Sequence, residues 1–155
     1  MHPALGRANQ KLYHASILTR LFAAERGRAE VPLSVLQDAV GEAARWHLRA
    51  AYGWLLVALA DLDDIPAEPP ASAESLLAGE PGEAARGELV ELRALEASGW
   101  LGDLLAPGRP APPKQAAGGA ELRLVEAGGD EDQLRRWHDG IAELIDRMSQ
   151  DLEES

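Results

Sequence analysis

The chain has 155 residues and a mass of 16.6 kDa, one domain's worth, and a chain of this length buries about 68–70% of its unfolded surface on folding without staples. Its 46% apolar and 26% charged residues are a globular composition, and no apolar run approaches the roughly 20 residues of a membrane span. Zero cysteines exclude disulfide frameworks, thiolate metal sites, iron–sulfur clusters and cysteine nucleophiles, while a net charge of −11 disfavours general attraction to nucleic acid or anionic lipid.

The opening MHPALGRANQKLYHAS lacks a basic segment followed by a 7–15-residue apolar stretch, so a cytoplasmic protein is expected. Ten prolines divide the chain, because proline inside a helix costs about 3 kcal/mol, and four long proline-free stretches remain. Over 5–25, Leu5, Ala8, Leu12, Ala15, Leu18 and Phe22 recur at steps of three or four, and Tyr13, Ile17 and Leu21 widen the stripe. That predicts an amphipathic helix ending at Gly27, with Arg26 and Arg28 beside its last carbonyls.

A second helix is expected from Pro32 or Ser34 to about 63, with Ser34 and Gln37 resembling a capping box. One seam is Leu36, Val40, Ala43, His47, Ala50, Trp54 and Val57, and another is Leu48, Tyr52, Leu55, Leu59 and Leu62. Two apolar faces make it the central helix, and Gly53 suggests close approach of a neighbouring helix. A connector over 63–82 is punctuated by proline and glycine, with a short helical turn over 72–77.

The third helix is predicted over 83–106, with Leu89, Leu92, Leu95, Trp100, Leu104 and Leu105 on its apolar side and Gly99 and Gly102 weakening its last turns. A surface loop follows over 107–119. The alternation in 121–127 reads as an extended stretch along a helix, since a lone strand has no partner. The last helix is expected after Gly128 and Gly129, capped by Asp130 with Gln133 three positions on, and carries Leu134, Trp137, Ile141, Leu144, Ile145 and Met148. The expected fold is therefore all-α: one domain over 1–155, an antiparallel up-and-down four-helix bundle with Pro/Gly-rich connectors over 63–82 and 107–119.

Asn9-Gln10-Lys11-Leu12-Tyr13, the long helix containing His47-Leu48 and Ala51-Tyr52, the Trp100-Leu101 pair and the closing 134–148 helix together resemble a family of uncharacterised bacterial proteins of about this length. It is similar to a proteobacterial domain of unknown function sometimes labelled PasA-like. The resemblance spans nearly the whole chain, implies a small helical bacterial protein, and brings no catalytic residues.

His14, His47 and His138 lie on three predicted helices and could converge on a divalent metal, though the residues three before them, Lys11, Ala44 and Arg135, break the Glu-x-x-His pattern of di-iron bundles. The plainer reading is three satisfied histidines. Asp139, Glu143 and Asp146 share one helical face, available to a hard cation or a basic partner but more simply a solvated face. No serine stands in a Gly-x-Ser-x-Gly elbow and no phosphate-cradling glycine loop is present. Arg7 and His14, with six residues between them, match the spacing of a helical ribonuclease pair.

Charge is segregated: residues 1–28 carry net +4 and residues 120–155 net −7, so the first and last helices are expected to meet along opposite rims. Among the four tryptophans, Trp54 is expected in the core, while Trp46-His47 and Trp137-His138 are the candidate interaction residues, lining a groove or a dimer contact. The reading that results is a cytoplasmic, non-enzymatic protein–protein interaction module with an unknown protein partner or a second copy, no cofactor, no nucleic acid and no membrane. Its alternative is a metal-binding or ribonuclease-like bundle using His14, His47 or His138.

Overall fold

The computed structural model describes the backbone of residues 2–79, 83–107 and 119–154, and side chains within these except at 83–84, 119–130 and 154. The described residues form helices and no strand. Helix α1 (Pro3–Arg28) starts on His2, whose ring nitrogen accepts from the Ala4 amide at 3.1 Å. It runs through Gly27 and stops at Ala29, whose left-handed φ of 56° lets its N–H reach the carbonyls of Glu25 and Arg26. The expected glycine stop is thus displaced by two residues, the cap geometry falling on an alanine.

The second long stretch is helix α2 (Leu33–Leu36), a π-helical turn over Gln37–Gly41, and helix α3 (Glu42–Ala60). Pro32 stands at its N-terminus and no side chain caps it; Ser34 lies inside the first turn, so the capping box does not form. The π turn adds a residue to one turn of helix and shifts α3 in phase relative to α2. Of the first expected seam, Leu36, Ala50, Trp54 and Val57 are buried while Val40, Ala43 and His47 are half-buried. Trp46, on neither seam, is exposed. The second seam has Leu48, Tyr52, Leu55 and Leu59 in the core.

Helices α1 and α3 run antiparallel and make the most extensive contact in the molecule. His2 meets Asp61, His14 meets His47, and Phe22 faces Gly41. Their shared seam is built of Ala4, Ala8 and Ala15 against Ala44, Ala51 and Ala58, all buried, and such small side chains let two helix axes approach closely. Tyr13, Ile17 and Leu21, expected to widen the buried stripe, are instead exposed, because this alanine seam turns the opposite face of α1 to solvent.

After α3 the chain turns at Asp61, another left-handed residue, and forms helix α4 (Ala73–Ala78), capped by the Ser72 hydroxyl. The predicted third helix is two: α5 (Glu83–Glu96) and α6 (Gly99–Leu105). Gly99 supplies the positive φ of 74° at the corner, and Gly102 sits where a Cβ would come 2.9 Å from the Glu96 carbonyl, so both glycines build a turn rather than fray an end. The expected antiparallel four-helix bundle is not confirmed: the described residues hold three long helices, α1, α3 and α7, with α5 and α6 packed against them.

Helix α7 (Gly119–Glu154) begins well before Gly128. Residues 121–127 are helical, not extended, and Asp130 is inside the helix; Glu, Leu, Arg and Ala are good helix formers and no strand is present among the described residues to pair with. Most of the 107–119 loop expectation falls outside the described residues. Leu134, Trp137, Ile141, Leu144, Ile145 and Met148 are buried as expected. Arg26 of α1 donates to Glu131 of α7 at 2.7 Å, so the oppositely charged first and last helices are neighbours. No helix among the described residues is long and apolar enough to cross a membrane; the uncharged run 50–60 is spent on the core.

Candidate functional site

On α3, Trp46 stands at the surface, 58% exposed, and lines a groove of about 630 Å³. Small-molecule sites occupy about 300–1,000 Å³. Lys11 of α1, Trp46, Arg49, Ala50 and Trp54 of α3, and the connector with Pro69 and Pro70 line it. The connector comes this close because α3 carries Gly53 there: a Cβ would lie 2.5 Å from the Pro70 carbonyl oxygen and 2.6 Å from the Pro69 Cβ. Gly53 therefore serves a close approach, but of the connector and not of a helix.

Two cations stand over the indoles. The Lys11 ammonium is 5.1 Å from the Trp46 ring centre and the Arg7 guanidinium 4.7 Å from that of Trp54, within the reach of cation–π attraction. Neither meets a carboxylate among the described residues. Arg49 is committed elsewhere, donating from Nε to the Leu104 carbonyl at 2.7 Å and from Nη2 to that of Ala106. Arg45 donates to the carbonyls of Asp103, Leu104 and Ala106 as well. The two guanidinium groups thus hold the C-terminus of α6, where a helix offers unpaired carbonyls and a partial negative charge.

Behind Trp46, the rings of His14 and His47 meet edge to face at 5.2 Å, and Trp46 packs against His47 at 5.0 Å. His47 is held below the ordinary imidazole range, first by desolvation and then by the positive Lys11 and by His14. Its Nδ1 is buried with no hydrogen-bond partner. A charged ring would carry a buried N–H there without an acceptor, so the neutral form fits the geometry.

His138 does not join this pair: its Nδ1 lies 3.2 Å from Asp139, and no group of three or more metal-ligating side chains exists among the described residues. The three-histidine metal site is not assembled. Arg7 and His14 are likewise parted, one over Trp54 and the other against His47. Trp137 is buried beneath Arg45, 5.2 Å from its ring, in a separate small cleft with Phe22, Gln37 and Gly41. Of the four candidate interaction residues, Trp46 lines the groove with His47 packed behind it, while Trp137 belongs to the core and His138 is half-buried near its own acid. Asp139, Glu143 and Asp146 all face solvent.

The model of a family of unknown function, DUF6586, matches residues 1–155. The chain belongs to that family. No curated protein and no solved structure matches it. For this DUF6586 member the site must be read from its own side chains.

Reading along the sequence misses several of them. Arg7 and Lys11 pass as rim charges of the first helix, and Pro69-Pro70 as linker punctuation. The available signal is Gly53 inside an otherwise bulky helix, which marks where another backbone must come close. Tyr13, Ile17 and Leu21 were visible as apolar residues, but their exposure follows only from the alanine seam that α1 buries.

Proposed function

We propose that this DUF6586 protein is a non-enzymatic interaction module whose docking surface for a protein partner is the outer face of α1. The observation that carries it is the row Tyr13, Ile17 and Leu21, 61%, 41% and 43% exposed and spaced four residues apart, so that they stand one above another. Helix-in-groove recognition uses anchors at this spacing. The α1 segment carries Arg7, Lys11, Arg20, Arg26 and Arg28 against Glu25 alone, in a chain of net charge −11. The fitting partner is an amphipathic helix with acidic flanks on an apolar stripe, whereas a second α1 would set like charges against each other. A proteobacterial, PasA-like relationship and a cytoplasmic setting complete the proposal.

The test places a photo-crosslinking side chain at position 17 and, as a control, at exposed position 86 of the full-length protein in the bacterium that encodes it. The expected result is a discrete adduct from position 17 alone, mapping to an acidic amphipathic segment and lost on Arg20→Glu. Adducts from both positions alike, a segment without acids, or a product containing only two copies of this chain overturns the reading.

A further inference from the structure

We propose that the groove between α1, α3 and the connector following α3 binds a small planar organic anion, an aromatic ring bearing a carboxylate or comparable acid group. The site goes beyond the docking surface, since none of Tyr13, Ile17 and Leu21 lines it. Four observations converge. Its volume of about 630 Å³ falls within the range of small-molecule sites. Part of its lining is flat and apolar: the exposed indole of Trp46, the Pro69-Pro70 rings, Ala50 and Leu105. Lys11 lines it and Arg7 lies over Trp54 beside it, and neither has a carboxylate partner among the described residues, although acids outnumber bases 26 to 15 in this chain. Finally, Arg49 and Arg45 tie the end of α6, where Leu105 lies, to α3, and Gly53 lets the connector seat directly on α3, so the walls are formed in advance.

These features select among ligands by what each would leave unmet. A bare inorganic anion would satisfy Lys11 and Arg7 but leave the indole and proline faces uncovered. A neutral ring would cover those faces and leave the cations unpaired. A ring with an acid group meets both, stacking on Trp46 while its oxygens accept from Lys11. Glu68 is the acid of the lining and sits on the connector, so it repels the charged end toward the α1 wall and sets the orientation.

The test titrates the labelled full-length protein with naphthoate and with its neutral amide, following the indole N–H resonances of the four tryptophans. Saturable shifts are expected at Trp46 and Trp54 and not at Trp100 and Trp137, with the amide binding at least about fivefold more weakly, the order expected for one nearby opposite charge. Lys11→Met weakens naphthoate by about the same factor and leaves the amide unchanged, and Glu68→Gln tightens naphthoate. Should Lys11→Met not fold, the salt dependence of the unmodified protein replaces it: naphthoate binding weakens as salt rises and amide binding does not. Equal shifts at all four indoles, equal affinity for acid and amide, or binding only when the ring is part of a peptide overturns the proposal. None of these outcomes bears on cross-linking from position 17, so the two readings fail separately.

Discussion

His47 shows how a polar residue is accommodated on a mostly apolar seam. Placed by spacing in line with Ala50, Trp54 and Val57, which are buried, it is half-buried between Trp46 and His14. Its pKa in the folded protein lies below the ordinary imidazole value of 6.5, chiefly because burial strips water from the ring. The unfolded chain therefore takes up a proton near pH 6.5 that the folded chain refuses, so stability falls as pH drops below that value and is restored above it. Between about pH 7.5 and pH 5.5, the urea midpoint of the unmodified protein is expected to fall more than that of His47→Gln. Equal falls in the two proteins would show that His47 carries none of the pH dependence.

At the scale of the element, a single carboxylate joins three helices. The Tyr52 hydroxyl of α3 donates to Glu96 Oε2 at 2.5 Å, and the same oxygen accepts from the Ala73 amide at the start of α4 at 2.7 Å. Glu96 is the last residue of α5, so its side chain ties the end of that helix to the beginning of another. Burial and the adjoining carboxylate push the Tyr52 phenol above its ordinary range, which keeps it a donor. Tyr52→Phe removes one hydrogen bond to a charged group, worth about 1.5–3 kcal/mol, and guanidinium unfolding is expected to show a loss of that order with an unchanged slope. A loss below about 0.5 kcal/mol would mean that solvent already satisfies Glu96.

These elements also show where sequence reasoning succeeds and fails. The stretches forming α1, α3 and the second half of α7 were legible because their apolar residues recur at helical spacing. The π turn was not, since Gln37–Gly41 carries no proline and its spacing alone does not distinguish it from an ordinary helical turn. The break between α5 and α6 was half legible: Gly99 and Gly102 announce weakness, but only the contact of Gly102 with the Glu96 carbonyl shows that the chain turns there. Of the candidate site, Trp46 could be named from the sequence. Lys11, Arg7, Pro69 and Pro70 could not, because they reach Trp46 and Trp54 across gaps of tens of residues.

For the molecule as a whole, the governing feature is that charge and apolar surface are distributed unequally between its two ends. The basic first helix and the acidic last one lie together, joined by Arg26 and Glu131, with Arg135 on the same carboxylate and Arg147 reaching Glu91 of α5. Both Arg26 and Glu131 are partly shielded, so a double-mutant cycle with Arg26→Ala and Glu131→Ala is expected to give a coupling of up to about 1 kcal/mol, shrinking in high salt. A coupling indistinguishable from zero at low salt would assign the pairing of α1 with α7 to apolar packing alone.

By itself the amino-acid sequence determined that this chain is helical, that it has no thiol chemistry, and which residues are apolar enough to form a core, because composition and local periodicity act over one or two turns. Tertiary structure decided the rest. Which face of α1 is left bare, that Trp46 is exposed on α3, and which cations stand over which rings are set by contacts such as the alanine seam and the connector lying on Gly53. Those are contacts between distant segments, and their energies exist only once the chain has closed upon itself.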